Sequence, residues 1–189
     1  MKTVLIANYK GGVGKTLLAD ELLWKFEKDK IRASFANLDP QGSSYHQSVD
    51  DPEAQVCVID TAGHLTTNLK ELIEKADFIV IPTMMSARDK EPLENMISFV
   101  QPYLKTKPVL FVFNRWDRFN FTKEFIGYFN TAYPDIKTTI LANTVAFNQA
   151  SAYGMSLEEY QPTNPACKHI DHIYSSIKYE LNIKDWRLV

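Results

Sequence analysis

The chain has 189 residues, 45% of them hydrophobic, 23% charged and 12% aromatic, a balance that fits one globular domain with a full core. Its formal net charge of -2 excludes a protein that coats nucleic acid through bulk charge, although a local basic patch stays compatible with it. The two cysteines, Cys57 and Cys167, fall in no metal-binding or redox spacing and read as reduced thiols.

The N-terminal stretch MKTVLIANYKGG has too short an apolar run for a signal peptide. No apolar stretch approaches the ~20 residues of a membrane span, so a cytoplasmic chain with no membrane partner is expected. Thr3–Ala7 reads as a buried strand. A helix follows over Thr16–Lys28, with Ala19, Leu22, Leu23 and Phe26 on one face. Strands are predicted at Ala33–Leu38 and Val56–Ile59, a helix at Asn68–Lys75, a strand at Phe78–Pro82 and a helix at Glu91–Leu104. Val109–Phe113 is the most strand-like run; a helix over Thr122–Ala132 and a strand at Thr138–Leu141 come after it. The last helix, Ala166–Leu181, carries Ile170, Ile173, Tyr174, Ile177 and Leu181 on one stripe, and Trp186 and Leu188 beyond it are expected to pack down. Alternating strands and helices without linker or repeat predict a single-domain, doubly wound α/β fold with a mainly parallel sheet.

Residues Lys10–Thr16 read KGGVGKT, directly after a strand and directly before a helix, the context that a Walker A phosphate-binding loop requires. Backbone N–H groups of Gly11, Gly12, Val13 and Gly14 can converge on phosphate oxygens, and the helix N-terminus adds its positive end. Lys15 is expected on the β- and γ-phosphates, and the Thr16 hydroxyl on Mg²⁺. Lys10 stands where the general motif begins with glycine. A loop with one lysine already on the phosphates gains little from a second in the same chain, whereas a cation arriving from a facing subunit would offset charge that builds up during phosphoryl transfer.

Two carboxylates follow at strand ends. Val56–Gly63 reads VCVIDTAG, which makes Asp60 the Walker B candidate for holding Mg²⁺ directly or through water. Gly63 supplies a flexible peptide next to it, suited to sensing a γ-phosphate. Asp39, in LDPQG, lies some two dozen residues after Lys15. An Asp-Pro pair also starts ordinary turns.

The segment ANYKGGVGKT resembles ANQKGGVGKT of the ParA/MinD superfamily of deviant Walker A ATPases, and LDPQG is similar to that family's DPQG. ADFIVIPT and TTILANTVAFNQASAYGMSL resemble later family segments more weakly. The resemblance implies a P-loop NTPase fold, ATP and Mg²⁺ as ligands, and slow hydrolysis stimulated by a partner. It also implies a homodimer closed around ATP, in which Lys10 contacts the nucleotide of the facing subunit. Asp39 would orient the attacking water near Mg²⁺ and belong with Thr16 and Asp60 to the metal site, and Asn114 would read adenine. Leu17 departs from the family's second threonine, which touches the α-phosphate, and Asn37 stands where an aspartate is common. Only about twenty residues separate DPQG from Asp60, so an element beside the site has been trimmed.

Function in this family would be the positioning or partition of DNA or other cargo with a small ParB-like adaptor, with a MinD-like role as an alternative. Non-specific DNA binding is expected from the resemblance alone. The family's arginines are replaced here by Ala142, Asn143 and Ala146, leaving Arg115, Arg118 and Lys123, or Lys168, His169, His172 and Lys178, as candidates. Asn114–Asp117 reads NRWD, which is also similar to the NKxD of GTPases, with Asp117 as guanine acceptor; Lys10 and DPQG favour ATP. A nucleotide-gated binding module with negligible turnover is the non-enzyme reading. A metal-insertion NTPase lacks its usual Cys or His cluster.

Overall fold

Successive residues along each strand face opposite sides of one sheet, and helices cover both sides. The computed structural model describes residues 1–39, 44–63 and 68–183. In chain order the elements are β1 (Lys2–Ile6), α1 (Lys15–Lys28), β2 (Ala33–Asn37), β3 (Val56–Asp60), α2 (Leu69–Lys75), β4 (Phe78–Thr83), α3 (Lys90–Val100), β5 (Val109–Trp116), α4 (Asn120–Ala132), β6 (Lys137–Ala142), α5 (Ala146–Ala152), α6 (Leu157–Tyr160) and α7 (Pro165–Leu181). Short 3₁₀ turns at Ala87–Asp89 and Gln101–Tyr103 flank α3.

The six strands are parallel in the order β2-β3-β1-β4-β5-β6. After β1 the chain crosses to β2 on one side and later returns to β4 on the other, so β1 lies where the winding reverses. That is the place where the carboxyl ends of strands in such sheets open a crevice. Val4 and Ile6 of β1 join α1, α5, α6 and α7 in one apolar core, while Leu5 and Ala7 join α2, α3 and α4 in the other. The predicted stripes are the ones buried: Ala19, Leu22, Leu23 and Phe26 of α1, and Ile170, Ile173, Tyr174, Ile177 and Leu181 of α7. Between these stripes the Phe26 and Tyr174 rings meet edge to face at 5.0 Å.

The structure departs from the sequence expectations in three places. The helix predicted to run to Leu104 stops at Val100 and tightens into the 3₁₀ turn at Gln101–Tyr103, because Pro102 has no N–H for an α-helical bond. β5 extends three residues beyond Phe113, with a register shift between Phe113 and Trp116 and Arg115 at φ 55°. Between β6 and α7 lie two short helices. The second opens on a capping box in which the Ser156 side chain and Glu159 satisfy each other's backbone N–H. Pro40, Gln41 and Gly42 of the DPQG segment, with Trp186 and Leu188, lie outside the described residues. Among the described residues no helix is long and apolar enough to cross a membrane.

Because α1 also carries the start of the phosphate loop, its anchorage matters to the site. Phe26 is fully buried, and Phe26→Ala is expected to lower unfolding free energy by about 3–5 kcal/mol, measured by urea denaturation.

Candidate functional site

The site is built at the carboxyl ends of β1 and β3. β1 ends in Ala7, and Asn8 then pins the chain: its Nδ2 donates to Pro82 O at 2.8 Å, and its Oδ1 accepts from Lys10 N at 2.9 Å. The loop turns through Gly12 (φ 71°) and Gly14 (φ 98°), left-handed conformations in which glycine avoids the Cβ penalty. Gly14 is the N-cap of α1, so no side chain caps that helix, and its first turn holds no acidic residue. The first N–H groups of α1 are thereby left for an anion, and the helix dipole favours one.

Lys15 is buried, and its Nζ donates to Lys10 O at 3.1 Å across the loop. Burial pulls its pKa below the usual lysine value, while the charges of Asp60 and Asp39 work the other way. Thr16 Oγ1 donates to Asp60 Oδ2 at 2.6 Å. Asp60 has no exposed surface, and its Oδ1 is without a hydrogen-bond partner. Burial pushes its pKa up to about 6, against the Thr16 hydrogen bond and the Lys15 charge. A buried carboxylate oxygen left unpaired beside a hydroxyl fits a hard cation with oxygen ligands, so Thr16 and Asp60 are the residues here that could hold Mg²⁺. Asp39 interacts electrostatically with both Lys15 and Asp60, and its backbone N–H is held by Asn37 Oδ1 at 2.9 Å. Asn37, the residue in the place of an aspartate, thus fixes the turn into Asp39. Gly63 abuts the loop so closely that a Cβ there would stand 2.9 Å from Gly11 N.

Lys10 takes a different partner from Lys15. Its Nζ pairs with the buried carboxylate of Asp89, whose other oxygen accepts from Ser86 Oγ. Sequence reading passed over Asp89 and Asn8, because a single polar residue at a loop carries no motif. In front of Lys10 opens a cleft of about 550 Å³ bounded by Gly11, Gly12, Met84, Asp117 and Phe121. On the other side of the loop lies a hollow of about 170 Å³ between Gly14 and Leu17 and the segment Ala142–Val145, with Asn148 at its edge.

Asn114 borders both and locks the loop to β5. Its Nδ2 donates to Val13 O at 2.8 Å, its Oδ1 accepts from Arg115 N at 2.7 Å, and it fills the space over Gly14 where a Cβ would stand 2.3 Å from Nδ2. Asp117 is engaged at the start of α4, its Oδ1 accepting from Phe119 N at 3.1 Å and Thr122 Oγ1 at 2.9 Å. Of the basic candidates, Lys178 pairs with Asp29 at 2.9 Å and His169 accepts from Ala142 N at 3.2 Å. Arg115, Arg118 and Lys123 are exposed between β5 and the first turn of α4.

The raised Asp60 pKa has a consequence for stability. The folded protein keeps this proton up to about pH 6, whereas an unperturbed aspartate releases it near 3.8, so the stability it confers is present at acid pH and lost as pH rises through about 6. Thermal melts from pH 4 to 8 without nucleotide should show Asp60→Asn losing less stability over that window than the parent. The variant should be the more stable of the two at pH 8.

A family model described as the CobQ/CobB/MinD/ParA nucleotide binding domain matches residues 4–157. No curated protein matches the chain in sequence. Among solved structures, McdA of Cyanothece in complex with ATP superposes with a TM-score of 0.76 at 18% identity, covering 97% of each chain. A putative plasmid partition protein of Borrelia burgdorferi bound to AMPPNP gives 0.71 at 16% identity over 95% of this chain and 98% of its own. MinD of Aquifex aeolicus in a MinC:MinD complex gives 0.75 at 10% identity over 95% and 96%. With the loop, the two carboxylates and the sheet order in place, the chain belongs to the CobQ/CobB/MinD/ParA nucleotide-binding domain family.

Proposed function

We propose that this chain is an ATPase that dimerises on ATP and positions or partitions DNA or another cargo, assisted by a small adaptor protein. The observation that carries the reading is the composite of an uncapped α1 N-terminus, a buried Lys15, and the Thr16–Asp60 pair with one carboxylate oxygen unmatched. Gly11, Gly12, Val13 and Gly14 would cradle the phosphates through backbone N–H groups, with Leu17 beside the α-phosphate. Lys15 would hold the β- and γ-phosphates, and Thr16 and Asp60 the metal, with Asp39 close by. Bound Mg²⁺ supplies neutralising charge to the phosphate oxygens. Asp39 would orient the attacking water, a positioning task suited to a carboxylate at a fixed strand end.

Two features favour adenine over guanine in the hollow beside Leu17. Asp117 lines the separate cleft in front of Lys10, and Asn114 and the Ala142–Val145 segment form the wall nearest Gly14. The dimer reading rests on Lys10. Lys15 already reaches back to the loop, while Lys10 pairs with Asp89 in the lining of an open cleft. To serve a facing site, Lys10 would exchange the Asp89 carboxylate for phosphate oxygens, a swap of one anion for another. DNA or cargo and an adaptor enter by analogy with the plasmid partition protein and the MinC-bound MinD among the similar structures. The exposed Arg115, Arg118 and Lys123 are the local charges available for a nucleic acid.

Complementation between two inactive variants tests the reading. Lys10→Ala should still bind ATP within about tenfold of the parent, the loss of roughly one phosphate contact. It should fail to dimerise and lose turnover, while Asp39→Ala should bind and dimerise but hydrolyse poorly. Mixed together, they form one complete site, in which the Lys10→Ala protomer keeps Asp39 and receives Lys10 from its partner. Phosphate release above that of either variant is expected. No recovery, with mixed dimers demonstrated by sedimentation, would assign Lys10 to its own subunit.

A further inference from the structure

α1 holds more than the phosphate loop. Five residues after Lys15, Asp20 is buried to 7% exposure, and among the described residues no lysine or arginine is paired with it. Its two oxygens instead take their contacts from three consecutive residues, Oδ1 from Ser44 and His46 and Oδ2 from Tyr45. Ser44 Oγ donates at 2.8 Å, Tyr45 N at 2.9 Å, His46 N at 3.0 Å, and His46 Nδ1 lies at 2.8 Å. Burial works to raise the Asp20 pKa, but the hydrogen bonds from His46, Tyr45 and Ser44 outweigh it and hold the carboxyl below the usual aspartate value. One turn along α1, Trp24 packs on Tyr45 at 5.3 Å and on His46 at 5.0 Å, and His46 Nε2 reaches Glu27 at 3.4 Å. The Tyr45 ring also seats on Gly154, where a Cβ would stand 2.8 Å from it.

A buried carboxylate is a costly way to fasten a loop when apolar packing would serve, unless the fastening has to be exact. Its position suggests what is being fixed. Upstream, Leu38 N donates to Asp60 O at 2.8 Å and Asp39 N to Asn37 Oδ1, tying the approach to Asp39 to the sheet. Downstream, only four residues separate Asp39 from Ser44, the first residue of the clasp. The two limbs on either side of Asp39 are therefore anchored, the second of them to the helix that carries Lys15 and Thr16.

We propose that Asp20 is a positioning residue that, through Ser44, Tyr45 and His46, fixes the Asp39-bearing segment relative to Lys15 and Thr16. This role rests on the ATPase reading above. Placement errors of about 1 Å at a reacting centre cost on the order of a hundredfold in rate, while ground-state binding of the phosphates does not pass through Asp39. The clasp therefore acts on turnover and leaves affinity alone.

Asp20→Asn keeps the volume and sets an amide N–H₂ against at least one of the donors. His46→Ala keeps the backbone N–H on Asp20 but removes the imidazole that meets Asp20, Glu27, Trp24 and Tyr45, with no residue of α1 changed, so it serves if Asp20→Asn fails to fold. In each, kcat for phosphate release should fall about tenfold or more, while the Kd for ATP by calorimetry stays within about threefold of the parent. The Tyr45 and His46 amides should exchange faster with deuterium. The double variant should be no slower than the worse single one, since both break the same clasp. Unchanged kcat with faster exchange would overturn the positioning role and leave an ordinary anchor, and unchanged exchange would overturn the clasp itself. A parent protein that releases no phosphate would remove the ATPase reading first, and the positioning role with it.

Discussion

Asp60 is the constraint around which this chain is organised: a carboxylate with no exposed surface, placed by the end of β3 between Thr16 and Lys15. Burying a carboxylate is expensive unless it is paired, and here one oxygen is matched by a hydroxyl while the other has no partner. The protein tolerates this by holding the proton to about pH 6 and by bringing a buried lysine near. An arrangement so poorly satisfied internally is economical only if a cation and its phosphate ligands complete it.

The surrounding elements serve that placement. Parallel pairing of β1 with both β3 and β4 sets the loop after β1 against the ends of its neighbours. Asn8 bonds the loop's first residues to β4, Gly63 presses the turn after β3 onto Gly11, and Asn114 fastens the far side to β5. Three strand ends thus hold the phosphate loop from three directions. The two-sided core, with α1 and α7 packed on one face of β1 and α2 to α4 on the other, keeps those strand ends fixed relative to one another.

Much of this could be read from the sequence, for identifiable physical reasons. The apolar strands were legible because the sheet is buried on both faces, the stripes on α1 and α7 because a helix buries one face, and KGGVGKT because left-handed turns and close backbone approach require glycine. The hidden parts depend on contacts between residues far apart in the chain. Asp89 lies 79 positions from Lys10, and Asp20 lies 24 to 26 positions from the residues it clasps. An isolated aspartate in a helix or a 3₁₀ turn has no local signature of either partner. The short helices after β6 are a different case: the Ser156 to Glu159 spacing is a capping signal present in the sequence, and α6, only four residues long, is too brief to show a periodicity. Pro102 likewise announced the end of α3 before the apolar pattern ran out.

The central claim is that the unmatched oxygen of Asp60 and the Thr16 hydroxyl form a Mg²⁺ site completed by ATP on the α1 N-terminus. Isothermal titration of ATP into the parent protein, with Mg²⁺ and with a chelator in its place, tests it most directly. The account predicts binding at one site per chain that is at least about tenfold tighter with Mg²⁺, the ~1.4 kcal/mol expected from a single added ionic contact or more. Equal affinity in the two titrations, or no ATP binding in either, would contradict it.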